Sequence, residues 1–199
     1  MWIYNEYHRH GLSVTHKGSG RIRIFNKGKG NIFMSGKNAR CSNLFIEIRG
    51  NNNSIVIGDN VSIRKNCHFS INGNDSKNVV GENCSMTSFV HLECNENEQS
   101  IIIGKDCMFS NHIHIRTNDS HPIYTKGTNS RINPPKSVNI GNHVWLGASV
   151  TILKGVHIDD GSIVGAHSIV THDIPANMIA VGIPARIVKE NVEWTYIPR

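Results

Sequence analysis

Apolar residues in the last third of the chain recur with a period of six. One set of inward positions comprises Ile140, Leu146, Ile152, Ile158, Val164 and Val170, and a companion set two places earlier comprises Val138, Val144, Val150, Val156, Ser162 and Ser168. Six residues turn an α-helix through about 600°, so these side chains would form no apolar helical face. In an extended chain, steps of two and six both preserve side-chain direction. The pattern therefore predicts consecutive short strands with their apolar side chains inside.

The chain must turn a corner after each of these strands. Three hexads then close one triangular coil, and coils stacked about 4.8 Å apart pair as a parallel β-helix. Gly141, Gly147 and Gly165 directly follow three of the inward residues. Because glycine accepts a positive φ at little steric cost, we expect these glycines to form the corners. The sequence thus predicts an all-β fold, a parallel β-helix of hexapeptide repeats.

A longer repeat, of 23 residues, runs through the middle of the chain. It aligns Met34, Ile57, Val80 and Ile103 as the first corner of successive coils. Three hexads account for 18 of the 23 residues. The rest fall in polar stretches, which predict small loops at one corner: residues 50–54, 72–78 and 95–100.

The repeat stops at residues 116–137, where we predict a long loop. A long loop that interrupts a rigid solenoid is more often functional than accidental. We expect residues 1–21 to cap the open strand edge and residues 22–188 to form the β-helix domain. Residues 189–199 are expected to form a C-terminal tail, with a short helix through Trp194.

Composition limits the class of protein. Of the 199 residues, 38% are hydrophobic, which suits one thin apolar interior. No segment approaches the length of a membrane span and the start has no signal-peptide core, so we expect a cytoplasmic protein. Cys67, Cys84 and Cys107 occupy inward positions, where they act as small buried hydrophobes. No disulfide framework is expected in that compartment.

Basic residues are concentrated near the start of a chain whose formal net charge is +6. Before Cys41 a single acid, Glu6, accompanies the following cations: Arg9, Lys17, Arg21, Arg23, Lys27, Lys29, Lys37 and Arg40. The cluster is either a solvated, solubilising end or a surface that attracts an anionic partner such as a polyanionic glycan. Nucleic acid is disfavoured, because no recognised nucleic-acid module is present and few aromatic residues interleave the cations.

Four segments resemble the hexapeptide-repeat acetyltransferases, whose fold is a left-handed β-helix. They are residues 121–123 (HPI), 140–147 (IGNHVWLG), 164–171 (VGAHSIVT) and 182–186 (GIPAR). Residues 119–124 (DSHPIY) and 131–133 (RIN) are similar to the capsule and polysialic-acid O-acetyltransferases. The resemblance also extends to galactoside and maltose O-acetyltransferases. It implies acetyl-CoA as co-substrate and a homotrimer with clefts between subunits, and we expect no metal.

Acetyl transfer to a sugar hydroxyl needs a base that titrates near neutral pH, because the hydroxyl is a poor nucleophile until it loses its proton. His121, in the long loop, is the candidate, and the resemblance implies the same residue. Asp119 is close enough in sequence to be considered as the group that fixes the imidazole tautomer.

The resemblance implies further site residues. The backbone amides at Gly147 and Ala148 are expected to bind the oxyanion. Trp145, outward by parity, is expected to line a cleft beside His121 and contact pantetheine or sugar, with trimer packing as the alternative. The other positions implied for CoA are Ala148, Ala166, Thr171, His172, Arg186 and Lys189. Arg186 and Lys189 suit the phosphates of CoA because both are cationic.

His68, His91 and His114 are spaced 23 apart, which predicts an outward column on three adjacent coils. A related fold, that of the γ-class carbonic anhydrases, holds zinc through histidines at a subunit interface. An in-line column within one chain does not give tetrahedral geometry, so a trimer face or a glycan-binding track is the preferred interpretation.

The sequence therefore predicts an acetyl-CoA-dependent O-acetyltransferase that modifies a bacterial surface polysaccharide or its sugar precursor. The polysaccharide is a capsule, such as polysialic acid, or an O-antigen. The alternatives are an N-acetyltransferase acting on an amino sugar, a zinc lyase of the carbonic anhydrase type and a non-catalytic β-helix module. The lyase requires bound metal and no affinity for CoA, and the non-catalytic module requires neither ligand.

Overall fold

The computed structural model describes residues 2–7 and 11–196, and the regular structure in these ranges is all β-strand. The strands form a parallel β-helix with three faces, as the sequence predicts, and it is left-handed, as the resemblance implies. Arg9 and the outer residues of the predicted cap and tail (1, 8, 10 and 197–199) lie outside the described residues. No helix in the described part is long and apolar enough to cross a membrane.

Each complete coil contributes to three faces, numbered in the order in which the chain enters them. Face 1 consists of β2 (Leu12–His16), β4 (Asn31–Ser35), β6 (Ser54–Ile57), β8 (Lys77–Val80), β11 (Ser100–Ile103), β14 (Val138–Ile140) and β17 (His157–Ile158). Face 2 includes β9 (Ser85–Met86), β12 (Met108–Phe109), β15 (Trp145–Leu146), β18 (Ile163–Val164) and β20 (Ile179–Gly182). Face 3 includes β10 (Val90–Asn95), β13 (Ile113–Arg116), β16 (Thr151–Ile152) and β19 (Ile169–Val170).

The N-terminal coils are built from longer strands. β3 (Ser19–Lys27), β5 (Arg40–Arg49) and β7 (Ser62–Asn72) run through both face 2 and face 3, and β1 (Trp2–Tyr7) pairs with β3. The first corner joins faces 1 and 2, the second joins faces 2 and 3, and the third joins face 3 to face 1 of the next coil.

The interior is a stack of apolar side chains, one layer per coil. Three of the predicted first-corner residues pair in register and are 1% exposed, which confirms the 23-residue repeat: Ile57, Val80 and Ile103. The prediction for Met34 is wrong. Met34 is 44% exposed and pairs with Val56, while Ser35 takes the inward place beside Ile57. The repeat is one residue shorter here, and a slip of one residue moves a side chain to the opposite face.

The glycines after the inward residues are required for a reason other than the predicted one. Gly141, Gly147 and Gly165 do not have a positive φ, and the left-handed conformation lies two residues later, for example at Ser149 with φ 59°. A Cβ on Gly147 would come within 2.6 Å of the backbone nitrogen of Ala166. The close approach of the next coil therefore excludes a side chain at this position.

The ends of the β-helix differ from the prediction. β2 pairs in parallel with β4, so the described part of residues 1–21 continues the coils, and the domain boundary at residue 22 stays a prediction. At the other end, β21 (Ala185–Lys189) folds back antiparallel to β20. The predicted helix through Trp194 is not formed, and residues 190–196 are irregular. A short helix nucleates poorly, and the burial of Trp194 (6% exposed) anchors the tail instead.

All five cysteines are free and buried, as predicted for the three on the inward column. Cys41 and Cys94 point inward as well and are 0% exposed. Burial raises the pKa of each of these two thiols to about 12. They act as small apolar side chains, because the reactive thiolate is not formed at neutral pH.

Buried asparagines form an internal ladder at the third corner. Asn31 and Asn53 are each 1% exposed, although residues 50–54 are predicted as a small polar loop. The Asn53 side chain donates to the Gly73 carbonyl at 2.8 Å and accepts from the Ser76 N–H at 3.0 Å. The Asn53 N–H donates to Asn31 Oδ1 at 2.9 Å. These side chains satisfy backbone groups that would otherwise be buried without partners.

We predict that Asn53→Ala lowers the free energy of unfolding by about 1–3 kcal/mol for each buried backbone group that loses its partner. Urea unfolding followed by circular dichroism measures the change. Asn51→Ala is the control, because Asn51 is exposed and water can replace its hydrogen bonds. Equal unfolding midpoints for the two variants would show that the ladder does not stabilise the coils.

Candidate active site

The chain between β13 and β14 projects from the third corner as an arm, residues 117–137. Tyr124 and Arg131 form an antiparallel bridge within it. The Ile132 N–H donates to the Ile123 carbonyl at 2.9 Å. The arm therefore folds back on itself as two limbs with their own hydrogen bonds.

Asn133 holds the two limbs of the arm together. It is 7% exposed, and its Oδ1 accepts a hydrogen bond from the Ile123 N–H at 2.5 Å. Its Nδ2 donates to Asp119 Oδ2 at 3.0 Å and to the His121 carbonyl at 2.9 Å. One buried amide thus fixes the backbone at His121 and two residues beyond it.

Two ion pairs tie the arm to the coils on either side. Arg131 binds Glu96 with two hydrogen bonds, of 2.5 and 2.7 Å, and Lys154 Nζ lies 2.5 Å from Asp119 Oδ2. Arg131 holds the pKa of Glu96 below its usual range, and Lys154 does the same for the pKa of Asp119. Both carboxylates therefore stay ionised, and charge-assisted hydrogen bonds keep the arm in place.

His121 has a fixed backbone and an exposed side chain. Its N–H donates to the Asp119 carbonyl at 2.8 Å. The Asp119 carboxylate instead binds Lys154 and Asn133. In the single chain this carboxylate anchors the arm through Oδ2, and its role in fixing the imidazole tautomer stays a prediction.

Trp145 points outward from face 2, as its parity predicts, and is 37% exposed. Met108 and Ile163 flank it in register on the neighbouring strands. The Trp194 ring lies 5.9 Å from the Trp145 ring and stacks on His143 at 3.9 Å. Reciprocal hydrogen bonds of 2.8 and 2.9 Å join Trp194 to His143. The tail thus provides a wall for Trp145 that the sequence does not reveal.

The backbone around Gly147 offers one free donor. The Gly147 N–H donates to the Val164 carbonyl at 2.8 Å as part of the pairing between coils. It can bind an oxyanion only if that bond is broken, and the role of Gly147 stays a prediction. The Ala148 N–H has no acceptor among the described residues, whereas the Ala148 carbonyl accepts from the His167 N–H at 2.7 Å.

The other residues predicted to bind CoA lie in the last coils and the tail: Ala148, Ala166, Thr171, His172, Arg186 and Lys189. Ala148 and Ala166 are at the second corner of consecutive coils. His172 is at the third corner, where it shares a cavity of about 300 Å³ with Arg186 of β21. The structure therefore joins His172 to Arg186 and places the two alanines at another corner.

The predicted histidine column is present: His68, His91 and His114 pair in register on face 3. Neighbouring ring centroids are 5.9 and 6.1 Å apart. His114 Nε2 lies 3.0 Å from Glu93 Oε2, and His114 together with Arg116 lowers the pKa of Glu93 to about 2. Burial lowers the pKa of His68 and of His91. Within the described ranges, no three His, Cys, Asp or Glu side chains converge where they could hold a metal ion.

The site residues are divided between two sides of the prism. The arm with His121 leaves the third corner, and Trp145 lies on face 2, which is opposite that corner. Trp145 therefore does not line a cleft beside His121 within one chain.

Sequence reasoning missed the residues that hold the arm, namely Asn133, Glu96 and Lys154. Asn133 falls in the segment 131–133, which resembles known acetyltransferases but carries no sequence signal for a structural role. The pairs that involve Glu96 and Lys154 join residues 35 positions apart. Such positions come together only through the register between coils. That register cannot be counted from the sequence here, because the repeat stops at residues 116–137.

The family model described as "Bacterial transferase hexapeptide (six repeats)" matches residues 137–172. Among solved structures, the polysialic acid O-acetyltransferase OatWY is 30% identical with a TM-score of 0.83, over 100% of this chain and 93% of that one. The polySia specific acetyltransferase NeuO is 27% identical with a TM-score of 0.85, over 98% and 89% of the two chains.

Three curated relatives match this chain over a shorter stretch. The galactoside O-acetyltransferase of Escherichia coli strain K12 is 53% identical over 53 residues, which is 27% of this chain and 26% of that protein. The first three such relatives are matched over only 26% to 36% of their own length.

We predict that Asn133→Ala loosens the arm without unfolding the β-helix. The Ile123 N–H loses its acceptor, and a loss of about 1 kcal/mol corresponds to an increase of several-fold in amide exchange. Hydrogen–deuterium exchange of the arm, with mass detection, measures this effect. Asn139→Ala is the control, because Asn139 is exposed on β14 outside the arm. Unchanged protection of residues 121–123 in Asn133→Ala is the outcome that this interpretation cannot accommodate.

Proposed function

We propose a function from the premise that this chain belongs to the hexapeptide-repeat O-acetyltransferases, a family of left-handed parallel β-helices. The enzyme transfers an acetyl group from acetyl-CoA to a hydroxyl of a surface polysaccharide or of its sugar precursor. Likeness along nearly the whole chain to two enzymes named for polysialic acid carries this proposal. The proposed acceptor is a bacterial capsule polymer with anionic sugars, and the basic N-terminal coils favour its approach.

His121 is the proposed general base. Its imidazole takes the proton of the sugar hydroxyl while that oxygen bonds to the thioester carbonyl carbon. The tetrahedral intermediate then breaks its C–S bond, and the imidazolium returns the proton to the departing sulfur. The arm supports this role, because Asn133 fixes the backbone at His121 and leaves the imidazole exposed.

The Ala148 N–H is the proposed donor to the oxyanion, in place of the Gly147 N–H. A backbone donor that is already oriented costs no reorganisation when negative charge develops. Gly147 contributes indirectly: its missing side chain lets the next coil approach, and its hydrogen bond to Val164 holds the backbone that carries Ala148.

The residues of the last coils and tail fit the chemistry of CoA. Arg186 and Lys189 provide positive charge for phosphate groups, and guanidinium binds phosphate with two hydrogen bonds. Thr171 and His172 present polar atoms at the third corner, 2.8 Å apart. Trp145 supplies an exposed ring for the pantetheine chain of CoA, and the small side chain of Ala166 leaves its backbone accessible to CoA. Because acetyl-CoA is available in the cytoplasm, we propose that the enzyme acts there.

We propose a homotrimer, because one chain does not bring His121 and Trp145 together. In a trimer, the arm of one protomer lies against face 2 of the next, and the site is complete only between copies. Three apolar side chains of the arm are at least half exposed: Ile123 at 50%, Tyr124 at 52% and Ile132 at 61%. Clustered exposed apolar side chains are typical of surfaces that bind another protein.

We predict that His121→Ala lowers kcat about 10²–10⁴-fold, the usual contribution of a general base. The affinity for CoA and the unfolding midpoint stay unchanged, because the side chain is exposed and does not belong to the proposed CoA residues. Thiol release with an oligosaccharide acceptor measures turnover, and calorimetry measures CoA binding.

His157→Ala is the control for this variant, because His157 is an exposed histidine outside the proposed site. Near-normal turnover in His121→Ala would show that His121 is not the general base. Loss of CoA binding in the same variant would show that the residue acts through the co-substrate site.

A further inference from the structure

A column of polar residues follows the edge of face 3 that borders the third corner, and it ends at the arm. Strand pairing and one side-chain contact set its members in order: Lys27, Arg49, Asn72, Asn95 and Asn118. Four steps of about 4.8 Å make a line about 19 Å long. The preceding residues on two of the strands, Ile48 and Ile71, are 0% exposed, so the column faces outward by parity.

The column opens into a cavity beside the arm. The cavity has a volume of about 450 Å³ and is lined by residues of both: Asn72, Asn95, Asn118, Ser120 and Pro122. Ser120 and Pro122 are the two chain neighbours of His121. The column therefore leads along the outside of the β-helix to the segment that carries the proposed base.

Side chains in this column have hydrogen-bonding groups to spare. In the ranges that the structure describes, Lys27 makes no ion pair and the Asn72 amide has no partner. Arg49 uses Nε for Glu47 at 2.8 Å, and its guanidinium lies 4.8 Å from the Phe25 ring. Neither terminal amino group of Arg49 bonds to a described residue. Glu47 therefore orients the guanidinium and offsets part of its charge, and the two terminal amino groups remain available as donors to an anion.

Glu96 and Arg131 also line the cavity, and they neutralise each other. Their two hydrogen bonds of 2.5 and 2.7 Å leave the end of the column near His121 without net charge from this pair. The unpaired cation lies at the far end, at Lys27. The column thus changes from amide groups near the base to cationic groups away from it.

We infer that this column is an acceptor groove, which binds an extended oligosaccharide whose sugars carry carboxylates. This inference rests on the proposed function. The amides of Asn72 and Asn95 bind hydroxyl groups of the sugars near His121. At this end of the column, an uncharged sugar hydroxyl attacks the acetyl group. Arg49 and Lys27 bind carboxylates of more distant sugars, because a guanidinium matches a carboxylate with two hydrogen bonds. A single sugar reaches only the amide end, whereas a longer chain also reaches the cations.

The test compares kcat/KM for sialic acid acceptors of increasing length, from one sugar to chains longer than the groove. For the wild type, kcat/KM rises with length until the groove is filled. The double variant Lys27→Gln/Arg49→Gln loses this rise, by about tenfold for each charge-assisted contact removed, and keeps the rate with the single sugar, which does not reach these two cations. Lys37→Gln, a charge loss on the first corner of the same coil as Arg49, is the control and retains the rise.

Each other outcome rejects the groove. A double variant that keeps the length dependence shows that acceptors bind elsewhere, and equal losses in Lys37→Gln show a general charge effect. Equal competition by single-stranded DNA in the wild type shows an unspecific anion surface. If the wild type transfers acetyl to no glycan while it binds CoA, the proposed function itself fails, and that result differs from the other three.

Discussion

The parallel hydrogen bonding between successive coils is the constraint on which the rest of the structure depends. It places each residue directly above its counterpart in the preceding coil, at about 4.8 Å. Inward residues such as Ile57 and Val80 then form a continuous apolar interior. The same pairing stacks outward residues into columns, of which His68, His91 and His114 are one. The type of side chain at an outward position is therefore either repeated from coil to coil or changes stepwise along the molecule.

The period of six was enough to predict the coils, because inward side chains must be apolar wherever a coil closes. Contacts between neighbouring coils could not be predicted from this period. Gly147 is a glycine because the Ala166 backbone approaches it, a contact between coils that no local pattern encodes. Asn53 reads as a loop residue in sequence, yet it is buried because it hydrogen-bonds to Gly73 and Ser76 of the following coil. Met34 was assigned to the wrong face because its coil is one residue shorter.

In the candidate site, too, part of the structure could be predicted from the sequence and part could not. His121 could be singled out from the sequence as the candidate base, because it lies where the repeat stops and because imidazole suits the reaction. Its surroundings could not, since Lys154 and Glu96 reach the arm from the coils on either side. Asp119 therefore anchors the arm, although its position beside His121 suggested a role in tautomer selection. Trp194 was likewise out of reach, because it meets His143 through contacts across 51 residues.

We propose that His121 of one protomer acts beside Trp145 of another, since one chain holds them on opposite sides. Co-expression of His121→Ala chains with Trp145→Ala chains tests it through the turnover of the mixed oligomer. Mixed oligomers should recover part of the wild-type turnover, because some sites combine an intact His121 with an intact Trp145 from a neighbour. Mixed oligomers as inactive as either parent would mean that both residues serve the same chain, which contradicts a site shared between protomers.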